Sequence, residues 1–218
     1  MTPLLLKNYV EKQISNIFIE NVYLDIDSID QAISKTRVAL SKSNNKYISV
    51  LEDNKSIPFS VFNTVHYSMF LYFLSNVLFE KDMNGTRAEK IYYLNKTLNC
   101  LDIFYEIKMP DIFYLEHPLG TVIGRAKMGD YFFVHQGCTV GENFGDWPVI
   151  GRNVTMFTNS IILGKTVIGD NVIISANTYI INETIPSNCI VFGQSPHLTI
   201  KTFDESFIRE KLSIYWKY

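Results

Sequence analysis

Between Val122 and Thr184 the aliphatic residues keep a six-residue period. Val122, Met128, Val134 and Val140 fall on it, and after one insertion Ile150, Met156, Ile162, Ile168, Ile174 and Ile180 resume it. Four places after most of these stands a small or β-branched residue, among them Ala126, Cys138, Ser160, Thr166 and Thr178; Phe132 and Phe144 are the exceptions. Glycine often follows the aliphatic directly, as in Met128-Gly129, Val140-Gly141, Ile150-Gly151 and Ile168-Gly169. Such a period fits neither a helix, at about 3.6 residues per turn, nor a hairpin meander. It predicts a parallel β-helix of short strands and tight turns, whose neighbouring units bury one another's apolar faces.

Upstream the pattern is helical. Residues 8 to 43 read as two amphipathic helices, the first with Val10, Ile14, Ile17 and Phe18 on one face, the second capped by Asp27 or Ser28 and carrying Ile29, Ala32, Ile33 and Leu40. Ser41 to Ser56 is a polar connector around Tyr47-Ile48-Ser49-Val50-Leu51. Pro58 to Phe79 contains no charged residue, yet Ser60, Asn63, Thr64, His66, Ser68, Ser75 and Asn76 interrupt it. Polar groups at that density are costly in lipid, so the run is expected to be a buried helix and not a membrane span. After the Asn84-Gly85 turn signal, Thr86 to Leu98 reads as a further helix. The tail from Phe203, with Phe207, Leu212 and Trp216, is expected to cap the open end of the repeat. The fold class is therefore α+β, with a helical domain over 1–105, a β-helix over 106–201 and a capping helix over 202–218.

Composition narrows the function. At 218 residues the chain holds one large domain, or a small one plus a repeat, and a net charge of −2 offers nucleic acid no basic surface. Three cysteines, Cys100, Cys138 and Cys189, lack C-x-x-C spacing, which points to a reducing cytoplasm. Cys138 falls on an inward slot and is expected to be a buried thiol, not a nucleophile. The apolar run near Met1 is too short for a secretory signal.

Extending the period back from Val122 puts Glu116 on an aliphatic slot and His117 just after it, at a corner. His135 follows Val134 in the same relation, 18 positions on. If three hexapeptides make one coil, the two histidines lie one above the other, roughly 5 Å apart. Histidine is the side chain suited to take a proton from a hydroxyl near neutral pH. A structural corner histidine is the other reading of His117. His135 is a second acceptor-binding group, a neighbour that tunes His117 by like charge, or a bystander.

Four stretches carry a resemblance: Glu116-His117 followed by Gly120-Thr121-Val122-Ile123-Gly124; Gln136-Gly137-Cys138-Thr139-Val140-Gly141; Gly145-Asp146-Trp147-Pro148; and Ile174-Ser175-Ala176-Asn177-Thr178. They resemble the hexapeptide-repeat acyltransferases, whose β-helix is left-handed, and their order is similar to that of the serine acetyltransferase branch over about residues 85 to 201. The resemblance implies acetyl-CoA as co-substrate, a small-molecule hydroxyl acceptor, no metal, and a homotrimer or a dimer of such trimers. It makes His117 the catalytic base, with Glu106, or else Asp111, orienting its far nitrogen, and places Glu116 near the acceptor.

It also assigns binding residues. Thr158, Ser160, Ser175 and Ala176 match the slots along which the family lays the pantetheine arm, Gly193 opens the segment after the last coil, and Lys201 is placed to meet a cofactor phosphate. Where serine acetyltransferases carry Gly-Asp-Arg-His-Pro, this chain has Gly145-Asp146-Trp147-Pro148, without the arginine that clamps a carboxylate. Asp146 and Trp147 then suit a sugar hydroxyl of a surface polysaccharide as well as L-serine, with Trp147 either stacking on the ring or anchoring a subunit interface. Two other classes stay open: a metal enzyme of the γ-carbonic anhydrase type, which needs a third converging histidine, and a non-catalytic trimeric scaffold.

Overall fold

The computed structural model describes residues 2–45, 59–83 and 85–218. Helix α1 (Pro3–Phe18) starts at a Thr2 cap and buries Leu6, Val10 and Ile14 as one stripe, while Ile17 stays exposed. Helix α2 (Ile26–Ser41) is capped by Asp25, whose carboxylate accepts from the Ser28 amide at 2.9 Å, so it begins ahead of the expected Asp27 or Ser28 cap. The uncharged run forms α3 (Thr64–Asp82), buried on every side from Val65 to Leu78, which is what a helix at the centre of a bundle requires. Among the described residues no helix is long and apolar enough to cross a membrane. Gly85, at φ +73°, leads into α4 (Thr86–Asn99). The Tyr47–Leu51 stretch and Asn84 lie outside the described residues.

The rest of the chain winds into a parallel β-solenoid of about five turns. In chain order its strands are β1 (Asp102–Ile103), β2 (Phe113–Leu115), β3 (Val122–Ile123), β4 (Lys127–Met128), β5 (Phe132–Val134), β6 (Thr139–Gly141), β7 (Val149–Ile150), β8 (Val154–Met156), β9 (Ile161–Leu163), β10 (Val167–Ile168), β11 (Val172–Ile174), β12 (Tyr179–Ile181), β13 (Thr184–Ile185), β14 (Cys189–Gln194) and β15 (His197–Thr202). They stack as three faces: β2, β5, β8, β11 and β14 on the first, β1, β3, β6, β9 and β12 on the second, β4, β7, β10 and β13 on the third. The expected slots at Val134, Val140, Ile150, Met156, Ile162, Ile168, Ile174 and Ile180 all point inward. Val122 does not. It is 41% exposed and Ile123 takes the inward place, level with Val140.

The corners explain a signal that hydrophobicity does not carry. Asn153, Asn171 and Asn188 sit one above another in left-handed backbone, φ +56° to +58°, a conformation asparagine tolerates better than other side chains. Their amides bond along the axis, Asn153 to Asn171 at 2.8 Å and Asn171 to Asn188 at 2.9 Å. On another corner Gly137 occupies the left-handed slot, where a Cβ would lie 2.2 Å from the Asn159 carboxamide oxygen.

Both ends of the solenoid are closed. The helices cover the first coil: the Tyr72 hydroxyl donates to the Ile107 carbonyl at 2.6 Å and accepts from the Met109 amide at 3.1 Å, while Phe73 packs 5.6 Å from Phe113. At the other end β15 pairs antiparallel with β14 and covers the exposed edge. The tail therefore does not cap the end as expected. From Phe203, whose amide donates to Asn188, helix α5 (Glu205–Leu212) runs back along the asparagine corner until the Tyr218 hydroxyl reaches Asn153 at 2.8 Å. Burying Ile208, Leu212 and Trp216 against the flank, with Trp216 edge-on to Tyr131 and Phe133, drives that course.

Candidate active site

His117 lies where the chain leaves β2. The Glu116 amide still donates to the Val134 carbonyl at 2.8 Å, and His117 then turns into left-handed backbone at φ +48°. Leu115 pairs with Val134, so Leu115 holds the inward slot and Glu116, not His117, comes level with His135. The expected stacking of the two histidines shifts by one place because Leu115 and Ile123, successive inward residues, are eight positions apart instead of six. The extra length goes into the His117 corner. Its imidazole is 75% exposed, and Nε2 lies 3.2 Å from Oε1 of Glu116, whose side chain is largely buried.

The histidines still share one hollow of about 290 Å³. It is lined by Glu116, His117, His135 and Phe133 of the solenoid and, from remote segments, by Ser43 and Asn45 after α2 and Ile214 and Tyr215 of the tail. His135 is packed between Phe133, at 5.2 Å, and Phe157, at 4.9 Å between ring centroids. Burial lowers its pKa below the usual histidine value; the Glu116 carboxylate opposes this and His117 adds to it. Its Nε2 is buried without a hydrogen-bond partner among the described residues. Beneath lies Tyr114, its phenol pushed upward by burial and by Glu116, its hydroxyl accepting from the Asn45 amide at 3.2 Å. A nucleophile's proton, a base and a carboxylate to balance the charge on that base can meet here.

The remaining expected residues divide by corner. Thr158, Ser175 and Ala176 lie on the corner between the first and second faces that also carries His117 and His135. Ser160 turns inward, fully buried, with its hydroxyl 3.5 Å from Cys138 Sγ. A groove of about 420 Å³ runs along the same edge past Asn159, Ile161, Asn177, Tyr179 and Gln194. Gly193, at φ +90°, belongs to the β14–β15 hairpin, and Lys201 on β15 sits over the Phe192 ring at 5.6 Å. Asp146 and Trp147 occupy a tight hairpin, with Asn143 and Asp146 bonded at 2.9 Å, on the corner between the second and third faces and so away from His117 within one chain. Glu106 and Asp111 are exposed and do not line the hollow. Among the described residues no three His, Cys, Asp or Glu side chains are placed to hold a metal ion. The sequence reading missed Asn45 and Tyr215. Only the aromatic run Tyr215-Trp216 hinted that the tail has something to pack on.

Among solved structures the chain is similar to the serine acetyltransferase of Brucella abortus strain S19, at 17% identity, a TM-score of 0.66, and coverage of 90% of this chain and 84% of that one. It is similar also to the serine acetyltransferase of Neisseria gonorrhoeae, at 17% identity and a TM-score of 0.66 over 94% of this chain and 83% of that one. The fold is that of the serine acetyltransferases. The Brucella abortus enzyme in complex with coenzyme A superposes too, at 17% identity and a TM-score of 0.60, covering 81% of this chain and 68% of that one. No protein-family profile matches the chain, and no curated protein sequence matches it. Helices followed by a parallel β-helix, as the hydrophobic pattern predicts, is the architecture these structures share.

Proposed function

We propose that the chain is an O-acetyltransferase that moves acetyl from acetyl-CoA to a hydroxyl of L-serine or of a surface-polysaccharide sugar, with His117 as general base. The observation that carries this reading is the Glu116–His117 pair at the mouth of a hollow, on the same edge as the groove past Asn159 and Asn177. The fit to coenzyme A is chemical. Exposed amides of Asn159, Asn177 and Gln194, with Ile161 and Tyr179 between them, suit a pantetheine arm of alternating amides and methylenes. The solved relative with coenzyme A adds to this.

In the reaction His117 takes the acceptor hydroxyl proton as that oxygen attacks the thioester carbonyl. The C–S bond then breaks, the imidazolium returns the proton to the leaving thiolate, and an acetyl ester and free coenzyme A result. No covalent bond to the protein is needed. Val122, Val149 and Val167, each more than 40% exposed on the outer faces, support packing against further copies, and the reading includes a homotrimer in the cytoplasm.

The test is thiol release from acetyl-CoA with L-serine, amino sugars and hexoses, for the native chain and for His117→Ala. Release with one acceptor that falls about 10²- to 10⁴-fold in the variant is expected. No release with any acceptor, together with no binding of coenzyme A, overturns the reading.

A further inference from the structure

The hollow beside His117 is amphiphilic, and its apolar side is built by the tail. Tyr215 stands 4.2 Å from Phe133 and 6.4 Å from His135 between ring centroids, with Ile214 next to it at the rim. This ring is not on a loose end. The Asn44 amide donates to the Tyr215 carbonyl at 2.7 Å, the Lys217 amide to the Lys42 carbonyl at 2.7 Å, and Trp216 between them is 1% exposed. The hollow is lined also by the Glu116 carboxylate, the His117 ring, the Asn45 amide and the edge of the His135 ring.

We propose that the acceptor is an uncharged ring polyol of the pyranose kind, bound with its C–H face on Tyr215 and its hydroxyl edge toward Glu116 and His117. The inference rests on the reading of His117 as base for acetyl transfer and names the acceptor class within it. A pyranose presents an apolar face and a rim of hydroxyls, which suits a lining of aromatic rings beside a carboxylate, an imidazole and an amide. A carboxylate can accept from one hydroxyl while the base takes the proton of its neighbour. An acceptor bearing a carboxylate would set that charge against Glu116. A ring held rigidly in advance, as Tyr215 is, loses little freedom on binding. The acetylated hydroxyl gives up its proton to His117 and gains the acetyl group, while coenzyme A leaves as the thiol.

The experiment uses the full chain, its Tyr215→Ala and Tyr215→Phe variants, and hexoses and L-serine as probes. Hexose binding is read without donor by saturation-transfer NMR, and KM and kcat are read by thiol release. Tyr215→Ala is expected to raise the hexose KM about tenfold with a smaller effect on kcat, and Tyr215→Phe, which keeps the ring, to regain most of that loss. Should Tyr215→Ala not fold, Ile214→Trp at a 65% exposed site fills the hollow, and the same rise in KM is expected. Turnover with L-serine and none with hexoses, or an unchanged hexose KM in these variants, overturns the ring acceptor and leaves acetyl transfer standing. Hexose binding that depends on Tyr215, with no thiol release, keeps the ring site and sinks the transfer reading instead.

Discussion

Oε1 of Glu116 lies 3.2 Å from Nε2 of His117, although the two are adjacent in sequence. Adjacent side chains on a strand point to opposite faces. The left-handed backbone at His117, φ +48°, turns its ring back over Glu116 and makes the contact possible. With Nε2 turned to this carboxylate, the proposed reaction gives Nδ1 the role of taking the acceptor proton.

This geometry separates chemistry from folding. Asparagine tolerates left-handed backbone, so His117→Asn is expected to leave urea-unfolding stability within about 0.5 kcal/mol while acetyl transfer falls about 10²- to 10⁴-fold. Glu116→Gln keeps a hydrogen-bonding group and loses the charge that balances an imidazolium, so a fall in kcat of about tenfold is expected. If His117→Asn retained the native rate, the base would have to be another group.

How far the sequence carried depends on which residues one follows. Ile162, Ile168, Ile174 and Ile180 repeat because each coil must fill the same interior, so their spacing reveals the solenoid. At the first coil the rule fails. Val122 and Glu116 were set on inward slots that Ile123 and Leu115 occupy, because the His117 corner takes extra residues in left-handed backbone that an aliphatic period cannot register. His117 and His135 are legible as neighbours because both stand at the corner that follows the first face, although His117 falls one place off the stack. Asn45 and Tyr215 reach the same hollow from remote segments, and no local spacing connects them to it.

The asparagine corner gives a second prediction. Asn171 accepts from Asn153 and donates to Asn188 while holding φ +56°. Asn171→Ala loses both bonds and carries the left-handed strain of a Cβ, together about 3 kcal/mol. Asn171→Gly loses the bonds alone and should cost about 1 kcal/mol less. Urea unfolding of the pair checks the order. Equal losses would mean that the corner is held without help from its backbone conformation.

Stability should fall on mild acidification. Burial lowers the pKa of His66 below its ordinary 6.5, and burial does the same for His135 despite Glu116. Above pH 6.5 both are neutral in either state and neither affects stability. Below it the unfolded chain takes up protons that the folded chain refuses, so stability drops as pH falls, by up to about 1.4 kcal/mol per pH unit for each group. The loss levels off once the folded pKa values are passed. Carboxylates titrate near 4, so the window between about pH 6.5 and 5 isolates the histidines. His135→Phe, which keeps the ring packing on Phe157, should flatten the slope in urea unfolding across that window.

Thiol reactivity should be graded. Cys100 is exposed, whereas Cys138 and Cys189 are buried, with burial pushing the Cys189 thiol up to about 11 and raising Cys138 against the pull of the Ser160 hydroxyl. A thiol reagent at neutral pH is expected to modify Cys100 alone in the native chain and all three cysteines in urea. Fast modification of Cys138 in the native chain would reopen its reading as a nucleophile.

Trp216 couples the tail to both stability and the site. It is 1% exposed, edge-on to Tyr131 at 5.4 Å and to Phe133 at 6.0 Å, and its backbone bridges Ser43 after α2. Trp216→Ala opens a cavity there and should cost about 3–5 kcal/mol in urea unfolding. Because Tyr215 precedes it, the apolar wall of the hollow loosens as well. Acceptor KM should therefore rise in the folded variant, while coenzyme A affinity, read at the groove past Asn159 and Asn177, stays as in the native chain. The two readouts divide because the tail lies on the flank beside Phe133 and His135, whereas the groove is lined by residues of the solenoid alone. A parallel loss of coenzyme A affinity would show that Trp216 acts by holding the whole solenoid, and the tail would then not be a wall of the acceptor site.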